Sequence, residues 1–144
     1  QHALIIDCHS YPNEPLPCDQ FPTIFRPDIC IGTGGFHTPP ALANFTYYFF
    51  RDRGYTVAYN LPYRGCMVPA AHRGKNERVY SVMLEVNRNI YKDSLEPIKG
   101  IISEWVCQIS KKAAALEEVF DFDEHMSQMF LEGFRHQAEG YARE

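Results

Sequence analysis

Several features are scarce or missing in this chain of 144 residues, and each absence narrows what the chain can be. Basic residues do not outnumber acidic ones: 14 Lys and Arg stand against 18 Asp and Glu, giving a net charge of -4. This balance gives no sign of a nucleic-acid or anionic-membrane partner. No apolar run is long enough to cross a bilayer. Neither an internal repeat nor a low-complexity linker divides the sequence, so we expect one domain over residues 1–144.

Common metal-binding and redox spacings are missing as well. The five cysteines are Cys8, Cys18, Cys30, Cys66 and Cys107. They form no CxxC pair, which argues against a zinc ribbon and against a thioredoxin-like motif. No HExxH motif is present, so any metal ligands must come from scattered positions. We interpret the cysteines as the free thiols of a cytoplasmic protein.

The apolar run Leu4-Ile5-Ile6 leads directly into Asp7 and His9. A short run without polar alternation is typical of a strand buried on both faces, so we predict a first strand over 2–7 with neighbours on both sides. Strand side chains alternate, so Asp7 and His9 should point to one side, and Cys8 to the other, which excludes a Cys-His dyad. A histidine beside a carboxylate is typical of a metal ligand. A capped or solvated histidine is the alternative.

Strand and helix signals alternate along the rest of the chain. We predict further strands at 29–31, 55–59 and 79–86, a helix from Thr38-Pro39 to a C-cap at Gly54, amphipathic helices over 95–109 and 122–141, and long loops at 8–28 and 60–77. This order favours an α/β domain with a mixed, mostly parallel sheet and flanking helices. Loops that follow strand ends in such a sheet meet at one edge, so we expect the site there.

Glu85 and Arg64 are the other candidates for chemistry. Glu85 lies near the end of a hydrophobic strand, where burying a carboxylate is costly unless it has a partner or a task. It would either pair with Arg88 or act as a general base whose pKa is raised by a partly dry site. Arg64 follows a strand and would either bind a substrate carboxylate or be an ordinary surface arginine.

Five motifs in order resemble the N-formylglutamate amidohydrolase family. They are IIDCHSYP at 5–12, DICIGT at 28–33, FHTP at 36–39, NLPYRG at 60–65 and VYSVMLEVNR at 79–88. The matching region covers residues 2 to 93. The His9 segment also looks like the third-ligand strand of the zinc carboxypeptidases. The resemblance therefore implies a phosphorylase/hydrolase-like fold of the zinc-exopeptidase type, incomplete here, in the carboxy-terminal portion of a longer hydrolase.

The resemblance also implies a reaction: zinc-dependent hydrolysis of the formamide bond of N-formyl-L-glutamate to formate and L-glutamate, in histidine degradation. His9 would be a Zn²⁺ ligand, with the other ligands expected upstream of it, and Glu85 would be the base that activates water. The other implied site residues are Asp7 behind the metal ligand and, lining the substrate pocket, Asn60, Tyr63, Arg64 and His37.

Two alternatives remain open at this point. The first is a related zinc carboxypeptidase or N-acyl-amino-acid hydrolase, whose partner would again be a small-molecule N-acyl amino acid. The second is a non-catalytic, metal-free binding module that keeps the fold. Substrate profiling separates the enzymes, and zinc content separates them from the module. The sequence does not determine the oligomeric state.

Overall fold

The computed structural model describes residues 2–19 and 25–116. Its elements, in chain order, are β1 (Ala3–Tyr11), β2 (Ile29–Gly32), α1 (Pro40–Arg51), β3 (Val57–Tyr59), β4 (Val79–Asn87), a short 3-10 helix (Arg88–Tyr91) and α2 (Glu96–Ala115). The predicted strands and the first two predicted helices are all present, with shifted ends. The helix predicted over 122–141 lies outside the described residues.

The four strands form one mixed sheet in the order β1-β4-β2-β3. β1 runs parallel to β4, and β2 runs parallel to β3. Only the central pair, β4 with β2, is antiparallel. The predicted fold class, an α/β domain with a mixed and mostly parallel sheet, is therefore confirmed.

One face of the sheet carries the hydrophobic core. The even-numbered residues of β4, which include Val82 and Leu84, pack against α1 and α2 around the fully buried Trp105. The indole Nε1 of Trp105 donates a hydrogen bond to Thr46 Oγ1 at 3.2 Å, so its polar group is paired inside the core. Both helices cover this face, and because side chains alternate along a strand, the odd-numbered residues of β4 point to the opposite face. No described helix is both long and apolar enough to cross a membrane.

The prediction for β1 is wrong in two respects. The strand continues past Asp7 to Tyr11, because its polar half stays in register with β4. Within the described residues it also lies at the sheet edge, paired with β4 alone, and not between two neighbours. In keeping with this edge position, Leu4, Ile5 and Ile6 are only half-buried, and the strand is not buried on both faces as predicted.

The predicted N-cap of α1 is also wrong. The helix begins at Pro40, and Thr38 makes no cap hydrogen bond. The Thr38 hydroxyl instead donates to the Ser81 carbonyl at 2.6 Å and accepts the Gly34 N–H at 2.9 Å. It therefore ties the loop before α1 to β4. The predicted C-cap is displaced as well: the helix ends at Arg51 with Asp52 as its C-cap, and Gly54, with a φ of 89°, lies in the turn that follows.

Candidate functional site

Asp7, His9 and Glu85 meet on the sheet face opposite the helices. His9 lies beside Glu85 in the parallel register of β1 and β4. Asp7 Oδ1 and His9 Nε2 are 2.7 Å apart, within hydrogen-bond distance. The prediction that Asp7 and His9 point to the same side is therefore confirmed. The Asp7 carboxylate fixes the orientation of the imidazole ring. The other ring nitrogen, His9 Nδ1, has no hydrogen bond from any described residue.

The Glu85 carboxylate is buried and incompletely paired. The residue is only 7% exposed, and no described group hydrogen bonds to its Oε2 atom. Burial raises the pKa of Glu85, and the charge of Asp7 adds to the rise, while the charges of His9 and Arg88 oppose it. Such a carboxyl group is suited to accepting a proton.

Arg88 is occupied elsewhere. Its guanidinium donates to the hydroxyl and the carbonyl of Ser10, at 3.2 and 3.3 Å. The ion pair between Glu85 and Arg88, which we considered from the sequence, is therefore not formed. The general-base role of Glu85 stays a prediction.

The described residues supply only part of a metal site. They contain no group of three or more His, Cys, Asp and Glu side chains placed to hold one ion. A catalytic zinc usually has three protein ligands and an open position. The His9 ring, with its Asp7 support and a half-exposed side chain, fits one of these ligands. The chemistry of this donor set is therefore compatible with zinc, provided that other ligands come from outside the described residues.

A cavity of about 510 Å³ opens beside this cluster. Asp7 of β1 and Met83 of β4 line it. His9 and Glu85 lie on the same faces of these strands, two residues and about 7 Å beyond Asp7 and Met83. The remaining lining residues come from the loop between β2 and α1 and from the loop between β3 and β4: Gly34, Gly35, Phe36, His37, Arg64, Gly65, Cys66, Val68, Arg73 and Gly74. A small molecule in this cavity would therefore lie next to the His9–Glu85 pair.

Asn60 lies outside the cavity lining and holds the loop that forms part of its wall. Its φ of 53° lies in the left-handed region, which asparagine tolerates better than most residues. Its Oδ1 atom accepts the N–H groups of Thr33 and Gly65, at 3.0 and 3.1 Å. The approach of this loop to β2 also requires Gly32, because a Cβ there would collide with the Gly65 carbonyl oxygen. The predicted pocket residue Asn60 thus holds the loop that presents Arg64.

Tyr63 links the two long loops. Its hydroxyl donates to Asp19 Oδ1 at 2.9 Å, and its ring packs edge-on against Tyr11 with centroids 5.5 Å apart. Asp19 also forms a buried ion pair with Arg26. The Arg26 hydrogen bond, followed by those from the Leu16 N–H and from Tyr63, lowers the pKa of Asp19. The structure thus places Tyr63 in a clamp that joins the two loops, outside the cavity lining.

His37 is a wall residue whose two ring nitrogens are both engaged. Nδ1 donates to the Val79 carbonyl at 2.8 Å, and Nε2 accepts the Gly74 N–H at 2.8 Å. The ring therefore connects β4 to the turn that carries Arg73.

Arg73 was not predicted as a site residue, although a basic residue in a loop that follows a strand was a usable signal. His72, the other loop histidine, is exposed and lies beside Asn76.

Comparisons with known proteins agree with the motifs. The family model for N-formylglutamate amidohydrolase matches residues 1–92. The fold is similar to the crystal structure of N-formylglutamate amidohydrolase from Ralstonia eutropha JMP134, with a TM-score of 0.55 and 23% sequence identity. The similarity covers 81% of this chain and 45% of that enzyme, so the chain spans less than half of the enzyme's length. A comparison with curated proteins finds no match. Because the family model covers most of the chain, this chain belongs to the N-formylglutamate amidohydrolase family.

Proposed function

We propose that the protein carrying this chain hydrolyses N-formyl-L-glutamate to formate and L-glutamate. The observation that carries the proposal is the buried Glu85 carboxylate, with one unpaired oxygen, set beside the Asp7–His9 pair at the edge of a cavity with two arginines. Family membership supports an amidohydrolase activity. Zinc dependence and a place in cytoplasmic histidine degradation rest on the family resemblance alone.

Glu85 would serve as the general base and then as the general acid. Its raised pKa favours uptake of a proton from water as the water oxygen bonds to the formyl carbon. When the carbon–nitrogen bond breaks, Glu85 would return that proton to the leaving nitrogen. The products are the free amino group of glutamate and formic acid, which ionises to formate by giving its proton to the amine or to solvent, and the Glu85 carboxylate is regenerated.

His9 would hold a catalytic zinc through Nδ1, with Asp7 keeping the ring in place through Nε2. Zinc, when bound, would supply Lewis-acid polarisation of the formyl carbonyl and lower the pKa of water. The other ligands would come from outside the described residues. Arg64, at the cavity wall, would bind a substrate carboxylate through its planar guanidinium.

The test is formate release from N-formyl-L-glutamate by the complete protein that contains this sequence. We expect turnover that a chelator abolishes, that zinc restores, and that the Glu85→Gln variant lacks. Turnover of larger N-acyl amino acids or peptides with none of the formyl substrate would support the related hydrolase instead. Ligand binding without turnover or zinc, in a folded protein, would support the metal-free binding module.

A further inference from the structure

Two arginines, Arg64 and Arg73, line the same cavity, and Asp7 is the one acidic residue among the described residues of that lining. Both oxygens of Asp7 are already engaged: Oδ1 with His9 Nε2, and Oδ2 with the Met67 N–H at 3.2 Å. Within residues 2–19 and 25–116, no hydrogen bond or ion pair engages the Arg73 guanidinium. The cavity lining therefore has an excess of positive charge.

The turn that carries Arg73 is held in place by hydrogen bonds. The Arg73 N–H donates to the Pro69 carbonyl at 3.1 Å, and the Gly74 N–H donates to His37 Nε2 at 2.8 Å. His37 is buried and bound in turn to Val79 at the beginning of β4. Arg73 thus extends from a fixed part of the wall, which reduces the entropy lost when its side chain meets a ligand.

The two arginines are anchored at different distances from Glu85. The Arg64 segment packs at the level of Met83, because the Gly65 carbonyl lies against Gly32, which is paired with Met83. The Arg73 turn is anchored through His37 at the level of Val79. These levels are four residue steps apart along β4, or about 13 Å. Arg64 is therefore anchored nearer to the reacting centre, and Arg73 further away.

We propose that Arg73 binds the side-chain carboxylate of the substrate and so makes the site selective for N-formyl derivatives of acidic amino acids. The inference rests on the proposed function. The α-carboxylate lies close to the scissile amide and suits Arg64. The side-chain carboxylate lies further from the scissile amide, and the long, exposed side chain of Arg73 extends toward it from its anchor. A fork-shaped guanidinium matches each carboxylate, and a ligand with an uncharged side chain would leave Arg73 without its partner.

The test compares N-formyl-L-glutamate with N-formyl-L-glutamine, which have the same size and differ in the side-chain group, a charged carboxylate in the first and a neutral amide in the second. In the complete protein, Arg73→Gln should raise KM for the glutamate derivative by about 10- to 100-fold, the range expected for a hydrogen bond to a charged group. We expect kcat for this substrate, and the rate on the glutamine derivative, to stay within about threefold, because Arg73 meets neither the reacting atoms nor the uncharged side chain. Arg73→Lys should restore part of the preference.

Arg78→Gln is the matched control, because Arg78 is an exposed arginine beyond the same turn and outside the cavity lining. This variant should keep the full preference for N-formyl-L-glutamate over N-formyl-L-glutamine. The inference is overturned if Arg73→Gln lowers kcat/KM for both substrates by one common factor or for neither, because the ratio of the two values is then unchanged. If the wild type hydrolyses neither substrate, the proposed function fails, and thermal stabilisation by glutarate still tests Arg73. A rise in melting temperature on adding glutarate that is seen in the wild type and lost in Arg73→Gln supports the inference. An equal rise in both proteins, or no rise in either, overturns it.

Discussion

Replacing Glu85 with glutamine removes the group that we assign to proton transfer while keeping the size and shape of the side chain. General-base catalysis by a positioned side chain contributes roughly 10²- to 10⁴-fold to rate. At about 1.4 kcal/mol for each factor of ten, this corresponds to a barrier increase of about 3 to 5.5 kcal/mol. Glu85 Oε2 has no hydrogen-bond partner among the described residues, so this oxygen is free to take the proton. We therefore expect kcat to fall by this factor, with KM little changed.

The stability of the same variant separates a catalytic role from a structural one. Burial raises the pKa of Glu85, so the folded protein holds its proton more tightly than the unfolded chain does. The stability that this group contributes is present below the unfolded pKa and is lost as pH rises through the folded pKa. In metal-free protein at neutral pH, Glu85→Gln should therefore melt no lower than the wild type.

The assay is formate release together with thermal unfolding, on the wild type, Glu85→Gln and the control Glu77→Gln. Glu77 is an exposed glutamate just before β4, so its variant should retain both activity and stability. Full activity in Glu85→Gln would refute the proposed mechanism. A loss of activity that follows a matching loss of folded protein would instead mean that Glu85 has a structural role.

Three further predictions concern the metal ligand, the loop clamp and the core. Asp7→Asn should weaken zinc binding by about 10- to 100-fold, measured by competition with a chelator, because the amide supports the His9 ring less well. The lowered pKa of Asp19 means that its contribution to stability is present above the unfolded pKa and is lost as pH falls through the folded value, so the gap in melting temperature between wild type and Asp19→Asn should close on acidification. Trp105→Ala should lower the free energy of unfolding by about 3–5 kcal/mol in urea titrations, because it empties the centre of the core.

The sequence predicted the parts of the site that depend on local periodicity. Strand alternation placed Asp7 and His9 on one side, and the structure joins them by a hydrogen bond. The apolar stretch of β4 predicted a buried strand, and all nine of its residues are buried. Glu85 stood out because it is the one carboxylate in that stretch. These features follow from the two-residue repeat of a strand and from the cost of burying charge.

The parts that could not be predicted depend on contacts between distant residues. The roles of His37 and Asn60 follow from hydrogen bonds to residues 42 and 27 positions away, which no local pattern encodes. Thr38 matched a helix-cap pattern, yet its hydroxyl bonds to the distant Ser81 carbonyl. Arg73 gained significance only when the fold placed it in the cavity wall with Arg64.

The central claim is that His9 is a metal ligand in an active hydrolase, and zinc content tests it most directly. Elemental analysis would be made on the complete protein and on its His9→Ala variant, after removal of loosely bound metal. We expect about one zinc per chain in the wild type, and little or none in a variant that remains folded. Equal zinc in both proteins, or an active wild type that contains no metal, would contradict it.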